Sequence, residues 1–415
     1  MRKNVVFYIT LVITVLPFAL FANNYKLIVG KVQDASSGKA LPFASISLSS
    51  NSISNVSNSE GIFSIKIPTN LIEKDTMNIS YLGYNTAKIA LADIEKEKIT
   101  VKLNPVNLTI SPVIIRPEEV QVLFNSVFAS IKDNYLQKNS SQLGFYREII
   151  KRGSKYVTLS EAVVEIDKSP YNNGFTNDNI AIYKGRGSRN FKIEDTLFVK
   201  LQGGPTAALW IDIMKNPFIG TDLLSAPLYY DFKLGPSTYL NGEKIFTIEF
   251  NQKDSVVEPL FRGKLYVENS SLAVIRAEFN MNVENYKNSW KYFVKRKPDN
   301  VNLSVDKAYY IVNYKKVNSK WVLDYSRLEI LFTAKYKNKI LKNKFSILAE
   351  LAVTDIIGNK SRINNKTKLR PKDIMSEKVN DFTDENFWED YNVIEPEGDI
   401  EGIISKIIRQ LKKIK

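Results

Sequence analysis

The chain has 415 residues, 44% of them hydrophobic, and a formal net charge of +14. This length and hydrophobic content exclude a disordered protein and suffice for two or three domains with their own cores. Because the sequence contains neither His nor Cys, Ser-His-Asp and Cys-His catalysis, a disulfide scaffold, an acylated lipoprotein and the commonest zinc ligand are all excluded.

Residues 1–22 have the features of an export signal. Arg2 and Lys3 form a charged start, residues 5–20 are apolar, and Ala22 suits a cleavage site. Retention as an anchor is the alternative, but the apolar run is shorter than the ~20 residues of a spanning helix. Cleavage would lower the net charge from +14 to +12. We therefore expect an exported bacterial protein in the periplasm or at the outer membrane.

Residues 23–103 are predicted to form a small β-sandwich. Short segments with strand character are separated by turn residues such as Ser37-Gly38, Glu60-Gly61 and Gly83. Gly61 and Gly83 are expected to adopt positive φ. The predicted core residues are Ile62, Ile65, Ile67, Ile79 and Tyr81.

Four motifs of this segment resemble the carboxypeptidase regulatory-like domain, which is a prealbumin-like β-sandwich. They are residues 30–34 (GKVQD), 37–44 (SGKALPFA), 58–63 (NSEGIF) and 80–84 (SYLGY). The family often has Thr-Asp where this chain has Ser59-Glu60. The resemblance implies a non-catalytic accessory domain without peptidase activity.

Residues 104–117 are predicted to be an extended linker, because Pro105, Pro112 and Pro117 punctuate it. Pro117 then opens a helix whose apolar face contains Val120, Leu123, Phe124, Val127, Phe128 and Ile131. We expect this helix to cover one side of the sheet that follows.

Residues 118–360 are predicted to form a large curved antiparallel sheet or half-barrel with a few covering helices. Residues 261–268 and 273–284 alternate apolar and polar side chains around a short polar connection, which indicates a hairpin. Further strands are predicted at residues 145–152, 156–167, 191–201, 229–234, 244–251, 308–316, 321–336 and 344–355. A bulge is expected between Tyr325 and Leu328, and residues 202–228 are predicted to lie over the sheet as a short helix and loop.

Residues 361–415 form a predicted C-terminal extension with an amphipathic helix. Its apolar face begins with Ile400, Ile403 and Ile404, and Lys and Arg line the other face. Docking of the Ile face on the domain is the favoured interpretation, and contact with an anionic membrane is the alternative. Three segments, residues 145–148, 160–165 and 387–392, also resemble features of uncharacterised envelope proteins that carry the same N-terminal domain.

Candidate chemical groups are few. Glu161 and Glu165 would share one strand face about 13 Å apart, too far for paired carboxylates, and are interpreted as surface or edge charges. Ser36–Lys39 and Ser304–Lys307 match a Ser-x-x-Lys pattern by coincidence. Residues 184–189 are interpreted as a basic turn, with anion binding as the alternative. Asp381, Asp384, Glu385, Glu389 and Asp390 lack calcium-loop spacing.

The sequence therefore predicts mainly β architecture and a non-catalytic envelope protein that binds or scaffolds. No catalytic, cofactor-binding or metal-binding residue and no cofactor is predicted. The expected partner is an outer-membrane protein or a lipid or glycan ligand, and binding of a hydrophobic ligand is the more specific prediction. Nucleic acid is not expected as a partner. The alternative function is a carboxylate-dependent glycan hydrolase, which requires two acidic side chains converging in a cleft.

Overall fold

A computed structural model of the protein describes residues 24–106, 117–172, 176–189, 203–217, 225–284, 286–294, 297, 299–337, 342–364, 367–381, 388, 391–398, 400, 402 and 404. The predicted export signal, most of the predicted linker, the predicted strand at residues 191–201 and most of the C-terminal helix lie outside these residues. Within the described part of the chain, no helix combines the length and apolar content needed to span a membrane.

The N-terminal unit is a sandwich of two small sheets, as predicted. One sheet has the order β4-β1-β7 and the other β3-β2-β5-β6. Strand β1 pairs antiparallel with β4 and parallel with β7. The strands are β1 Tyr25–Asp34, β2 Ser45–Leu48, β3 Ser54–Val56, β4 Ile62–Pro68, β5 Thr76–Ser80, β6 Ala87–Ala90 and β7 Lys98–Leu103, with 3₁₀ turns at Thr69–Leu71 and Leu91–Asp93.

Three of the five predicted core residues are fully buried in the sandwich. Ile65, Ile67 and Ile79 have no exposed surface, whereas Ile62 and Tyr81 are half-buried. Phe63 occupies the core beside Gly30, because the alternation of β4 points Phe63 inward and Ile62 outward. Gly61 and Gly83 have φ of 75° and 87°, as their turn positions require.

The second unit is an open sheet in which ten strands pair antiparallel. Its order is β11-β12-β13-β14-β15-β16-β17-β8-β9-β10, and a two-residue strand, β18, extends the β10 edge in parallel. The strands are β8 Ser140–Arg152, β9 Lys155–Lys168, β10 Asn179–Arg189, β11 Tyr230–Leu240, β12 Glu243–Gln252, β13 Phe261–Glu268, β14 Val274–Met281, β15 Val301–Val317, β16 Lys320–Tyr336, β17 Lys342–Gly358 and β18 Asn380–Asp381.

The predicted hairpin is present as β13 and β14, with Leu265 opposite Ala277. The bulge in β16 lies at Asp324, just before the predicted interval, because Asn313 pairs with Tyr325 and Tyr314 with Leu323. Strand β15 begins at Val301, seven residues before the predicted start. The alternation of Val301, Leu303 and Val305 with polar residues is the signal for this extension.

Helices cover the apolar face of the large sheet, as predicted. Val120, Phe124 and Val127 of the first helix belong to the same buried cluster as the odd-numbered side chains of β17 from Phe345 to Val353. Ala208 and Leu209 join this cluster from residues 203–217. The described helices are α1 Pro117–Ala129, α2 Ile131–Asn134, α3 Gly204–Trp210 and α4 Ala226–Tyr229, with 3₁₀ turns at Ser289–Tyr292 and Met375–Glu377.

The opposite face of the sheet is covered by the sandwich and by the C-terminal segment. In a second buried cluster, Phe145 and Tyr325 of the sheet lie with Val56 of the sandwich and with Trp388 and Ile394 of the C-terminal segment. Ile400 is 1% exposed and packs with Ile149 and Leu159. The described start of the predicted C-terminal helix therefore docks on the sheet.

Candidate functional site

A polar cleft of about 780 Å³ separates the sandwich from one end of the large sheet. We call it the interdomain cleft. Its sandwich wall comes from strands β2, β5 and β6 and contains Ser45, Ser47, Ser49, Asn78, Ser80, Asn85, Thr86 and Lys88. Its sheet wall contains residues 240–243, Glu268, Ser270, Lys315, Lys316 and Trp321.

The alternation of two short strands makes the sandwich wall polar. In β2, Ile46 and Leu48 are buried in the sandwich core, so that Ser45 and Ser47 point to the cleft. In β5, Met77 and Ile79 are buried in the same core, and Asn78 and Ser80 face the cleft. The same pattern that builds the core therefore places a row of hydroxyl and amide groups on the cleft wall.

A buried ion pair of the large sheet is hydrogen-bonded to two serines of the sandwich beside the cleft. Lys315 Nζ lies 3.4 Å from Asp324 Oδ1 and donates to the carbonyl oxygen of Val353 at 2.7 Å. Ser45 Oγ of the sandwich donates to Asp324 Oδ2 at 2.9 Å, and Ser54 Oγ bonds to Lys315 Nζ. Burial lowers the pKa of Lys315 and raises the pKa of Asp324, because both charged forms are desolvated.

Turn contacts fix the separation of the two walls. The backbone N–H of Gly83 donates to the carbonyl oxygen of Tyr239 at 2.9 Å, and Thr86 Oγ1 bonds to Asn241 Oδ1. A Cβ at Gly83 would lie 3.3 Å from Thr238 Oγ1. Gly83, predicted as a turn residue, thus also permits the sandwich to approach the β11–β12 hairpin closely.

Two buried polar atoms on the walls have no hydrogen-bond partner among the described residues. Trp321 Nε1 and Asn78 Oδ1 belong to opposite walls of the interdomain cleft. Trp321 is 6% exposed, and Lys316 Nζ lies 5.0 Å from its ring centroid. An unpaired buried donor or acceptor is unfavourable by about 1–3 kcal/mol, so these atoms favour a ligand or water that pairs with them.

Two carboxylates also line the interdomain cleft. Glu268 Oε2 accepts from Ser271 Oγ at 2.5 Å and lies 3.5 Å from Lys316 Nζ. Glu243 Oε1 accepts from the backbone N–H of Ser270 at 3.0 Å. In the described part of the chain, no three acidic side chains are grouped closely enough to hold a metal ion. The lining therefore offers donors, acceptors, charges of both signs and one indole.

The interpretation of Glu161 as a surface or edge charge is wrong. Glu161 has no exposed surface, and its carboxylate binds Arg147 Nη2 at 2.8 Å and Arg186 Nη2 at 2.9 Å. Burial alone would raise the pKa of Glu161, but the two guanidinium groups hold it below its usual range. Strand β9 lies inside the sheet rather than at its edge, and the C-terminal segment covers this face. Glu165 is half-buried.

The interpretation of residues 184–189 as a basic turn is also wrong, because they continue strand β10. A Cβ at Gly185 or Gly187 would lie 2.7 Å from a methyl group of Val379. The glycines therefore admit Val379 against the strand instead of forming an anion-binding loop. Arg186 is 6% exposed and pairs with Glu161.

The remaining sequence candidates do not converge on a site. Ser36–Lys39 lies in a sandwich turn, and Ser304–Lys307 lies in β15, so neither opens a helix. Asp384, Glu385, Glu389 and Asp390 lie outside the described residues. The interdomain cleft was not predicted, because its walls come from strands far apart in the sequence.

Comparison with known families identifies the N-terminal unit. The model of the CarboxypepD_reg-like domain matches residues 28–115. The chain therefore contains this domain, which confirms the resemblance carried by its four motifs. A comparison with curated proteins gives no match.

Solved structures with similarity to the chain include β-rich bacterial proteins. A DUF1329 family protein from Desulfovibrio piger is 13% identical, with 58% of this chain and 94% of that chain covered and a TM-score of 0.24. A LolA superfamily protein from Nitrosomonas europaea is 10% identical, with 58% and 95% covered and a TM-score of 0.22. Pseudomonas aeruginosa MucB, in complex with MucA, is 10% identical, with 59% and 100% covered and a TM-score of 0.19. TM-scores this far below 0.5 do not define the function of the chain.

Proposed function

We propose that this protein is an exported, non-catalytic module of the bacterial cell envelope that binds a polyhydroxylated, glycan-type ligand in the interdomain cleft. The supporting observation is the cleft lining, in which Trp321 Nε1 and Asn78 Oδ1 are buried without a partner among the described residues. A glycan hydroxyl both donates and accepts, so it can pair with either atom. The proposed units are the export signal at residues 1–22, the sandwich at 23–103, the linker at 104–117, the sheet domain at 118–360 and the extension at 361–415.

The predicted hydrophobic ligand has less support than a polar one. Phe124 and Leu209 of the covering helices pack directly into the apolar face of the sheet, within the described residues. The interdomain cleft, in contrast, is lined mainly by hydroxyl, amide and charged groups. An outer-membrane protein that presents a polar, glycosylated surface would satisfy the same site.

The ligand class is tested by calorimetric titration of the purified protein with peptidoglycan fragments and with oligosaccharides released from lipopolysaccharide. Trp321→Phe keeps an aromatic ring but removes the buried indole N–H together with one ring of the indole, so we expect a roughly five- to tenfold loss of affinity. Trp210→Phe, at a site that is 44% exposed on α3, is the matched control and should bind as the wild type does. Absence of binding to both glycan classes would contradict the proposal.

A carboxylate-dependent glycan hydrolase is the second candidate, because Glu243 and Glu268 line one cleft. Both carboxylates already accept hydrogen bonds from the 269–271 connection, which suits a role in holding the cleft wall. The distinction is made by incubating the wild type and Glu268→Gln with the same glycans. Release of shorter products by the wild type alone would favour the hydrolase over the binding module.

A further inference from the structure

A second groove, of about 460 Å³, is lined almost entirely by basic and small polar residues. Its lining consists of Arg152, Lys155, Lys342, Asn343, Lys344 and the Gly153–Ser154 turn. We call it the basic groove. Among the described residues, four cationic side chains and no acidic one line it. Lys155, Lys342 and Lys344 are exposed.

The fold assembles this groove from two distant segments of the chain. Arg152 lies opposite Lys155 across the β8–β9 turn, and Phe345 pairs with Arg152 on the other side. The backbone N–H of Gly153 donates to the carbonyl oxygen of Lys344 at 2.9 Å. Residues 149–160 and 330–349 contain no Asp or Glu, so both contributing segments are purely cationic. The positive charge is therefore not neutralised within either segment.

The cationic surface extends beyond the groove along the same end of the sheet. Lys335 of β16 is exposed and pairs with Lys342 of β17. From β16 through β17 and β8 to β9, four adjacent strands contribute cations to this end. At about 4.8 Å between neighbouring strands, the front is about 14 Å wide. This width exceeds that of one phosphate group, so the cationic front can contact more than one anionic group at a time.

The basic groove and the interdomain cleft lie at opposite ends of one strand. Trp321, at the start of β16, lines the cleft, and Lys335, near its end, flanks the groove. At about 3.3 Å per residue, the fourteen intervening steps correspond to roughly 45 Å. The two sites can therefore be occupied independently.

We propose that the basic groove and Lys335 form a docking surface for the phosphate groups of anionic membrane lipids. The compact ammonium groups of Lys bind phosphate as point charges, and Arg adds planar donors. Within the part of the chain that the structure describes, no aromatic side chain lines the groove, so these residues do not form the stacking platform with which proteins bind single-stranded nucleic acid. The width of the cationic front favours a lipid surface over one soluble phosphate.

The test is co-sedimentation of the purified full chain with phosphatidylethanolamine vesicles that contain or lack phosphatidylglycerol. Each Lys near an anionic surface contributes about fivefold to the partition coefficient, so Lys342→Gln/Lys344→Gln should weaken binding roughly 25-fold. Lys98→Gln/Lys102→Gln removes the same charge from exposed positions of strand β7 and should leave binding nearly unchanged. Added salt should weaken the binding of the wild type.

Parallel titrations with inorganic phosphate and with a DNA duplex separate the possible sources of phosphate. Loss of vesicle binding in the groove variant alone supports the proposal. An equal loss in both double variants would overturn it, because net charge would then explain the effect. Groove-dependent binding to soluble phosphate or to DNA, with vesicle binding unchanged in the groove variant, would also overturn it. Circular dichroism verifies that both double variants remain folded.

Discussion

At the scale of single residues, Glu148 is an acidic side chain placed on the apolar face of the sheet. It is 1% exposed, and the Tyr146 hydroxyl donates to its Oε2 at 2.9 Å. It lies opposite Ala349 and Ser160, and Ser160 Oγ has no hydrogen-bond partner among the described residues. Burial raises the pKa of Glu148 from 4.5 to about 7, although the hydrogen bond from Tyr146 opposes this shift. Glu148 is therefore protonated in the folded protein at mildly acidic pH.

This raised pKa predicts a pH-dependent contribution to stability. The folded state binds the proton more tightly than the unfolded state, so the contribution of Glu148 is present below pH 4.5 and is lost as pH rises towards 7. The difference amounts to roughly 3 kcal/mol. Glu148→Gln should remove this dependence. The free energy of unfolding of the variant, relative to that of the wild type, should therefore rise by about this amount between pH 4.5 and 8. Urea denaturation at a series of pH values measures it.

Glu165→Gln is the control for this prediction, because Glu165 is a half-buried acidic residue on the neighbouring strand β9. Its free energy of unfolding should follow the pH dependence of the wild type. If Glu148→Gln also follows the wild type across this range, Glu148 does not titrate as its burial implies.

At the scale of elements, α1 shows how an amphipathic pattern produces packing. Its apolar stripe places Phe124 against Phe128, with ring centroids 4.8 Å apart, and against Phe232 of β11 at 4.2 Å. Phe124 has no exposed surface. The helix is 13 residues long, which is marginal for an isolated helix in water, so the sheet supplies most of its stability.

Truncation of this contact should destabilise the protein strongly. Phe124→Ala removes a buried ring and leaves a cavity, and we expect a loss of about 3–5 kcal/mol in the free energy of unfolding. Val122→Ala changes a position of the same helix that is 65% exposed and should change stability by less than about 0.5 kcal/mol. Chemical denaturation with far-ultraviolet circular dichroism distinguishes the two. If Phe124→Ala lowered the free energy of unfolding as little as Val122→Ala does, the packing of α1 against the sheet would be contradicted.

At the scale of the whole molecule, polar, ionic and aromatic contacts connect the large sheet to the C-terminal segment and to the sandwich. Arg147 on β8 binds Glu161 on β9, Glu350 on β17 at 3.3 Å and the carbonyl oxygen of Ile394 in the C-terminal segment at 2.8 Å. On the sandwich side, the Phe43 ring stacks on Tyr325, and the Arg327 guanidinium lies 4.6 Å from the centroid of the Phe43 ring. The face of the sheet away from α1 therefore serves as an internal interface.

Removal of the central guanidinium should destabilise this interface. Arg147→Met leaves the buried Glu350 carboxylate and the Ile394 carbonyl with fewer hydrogen-bond partners. We therefore expect a loss of about 3–5 kcal/mol in the free energy of unfolding. Arg262→Met breaks an ion pair with Glu284 whose side chains are 45% and 54% exposed, so its effect should be within about 1 kcal/mol. Differential scanning calorimetry of both variants checks the contrast. A wild-type transition temperature for Arg147→Met would contradict the buried network.

The sequence predicted the elements better than the charged sites. Strict alternation identified the sandwich strands, the β13–β14 hairpin and the apolar face of β17, because a strand with one dry face must alternate. Glu161 and Arg186 were misinterpreted, because each is a charged residue in a local pattern that is equally compatible with a solvated face. Their burial depends on each other and on Arg147, which is 14 residues from Glu161 and 39 from Arg186 along the chain.

The sequence by itself determined the N-terminal domain, the antiparallel sheet, the apolar stripe of α1 and the exclusion of imidazole and thiol chemistry. These properties depend on composition and on short periodic patterns, which are local. Only the tertiary structure decided where the polar residues meet: the walls of the interdomain cleft, the Arg147 network and the basic groove each combine strands that are far apart in the chain. The physical reason is that strand order and register, rather than local propensity, set which side chains become neighbours.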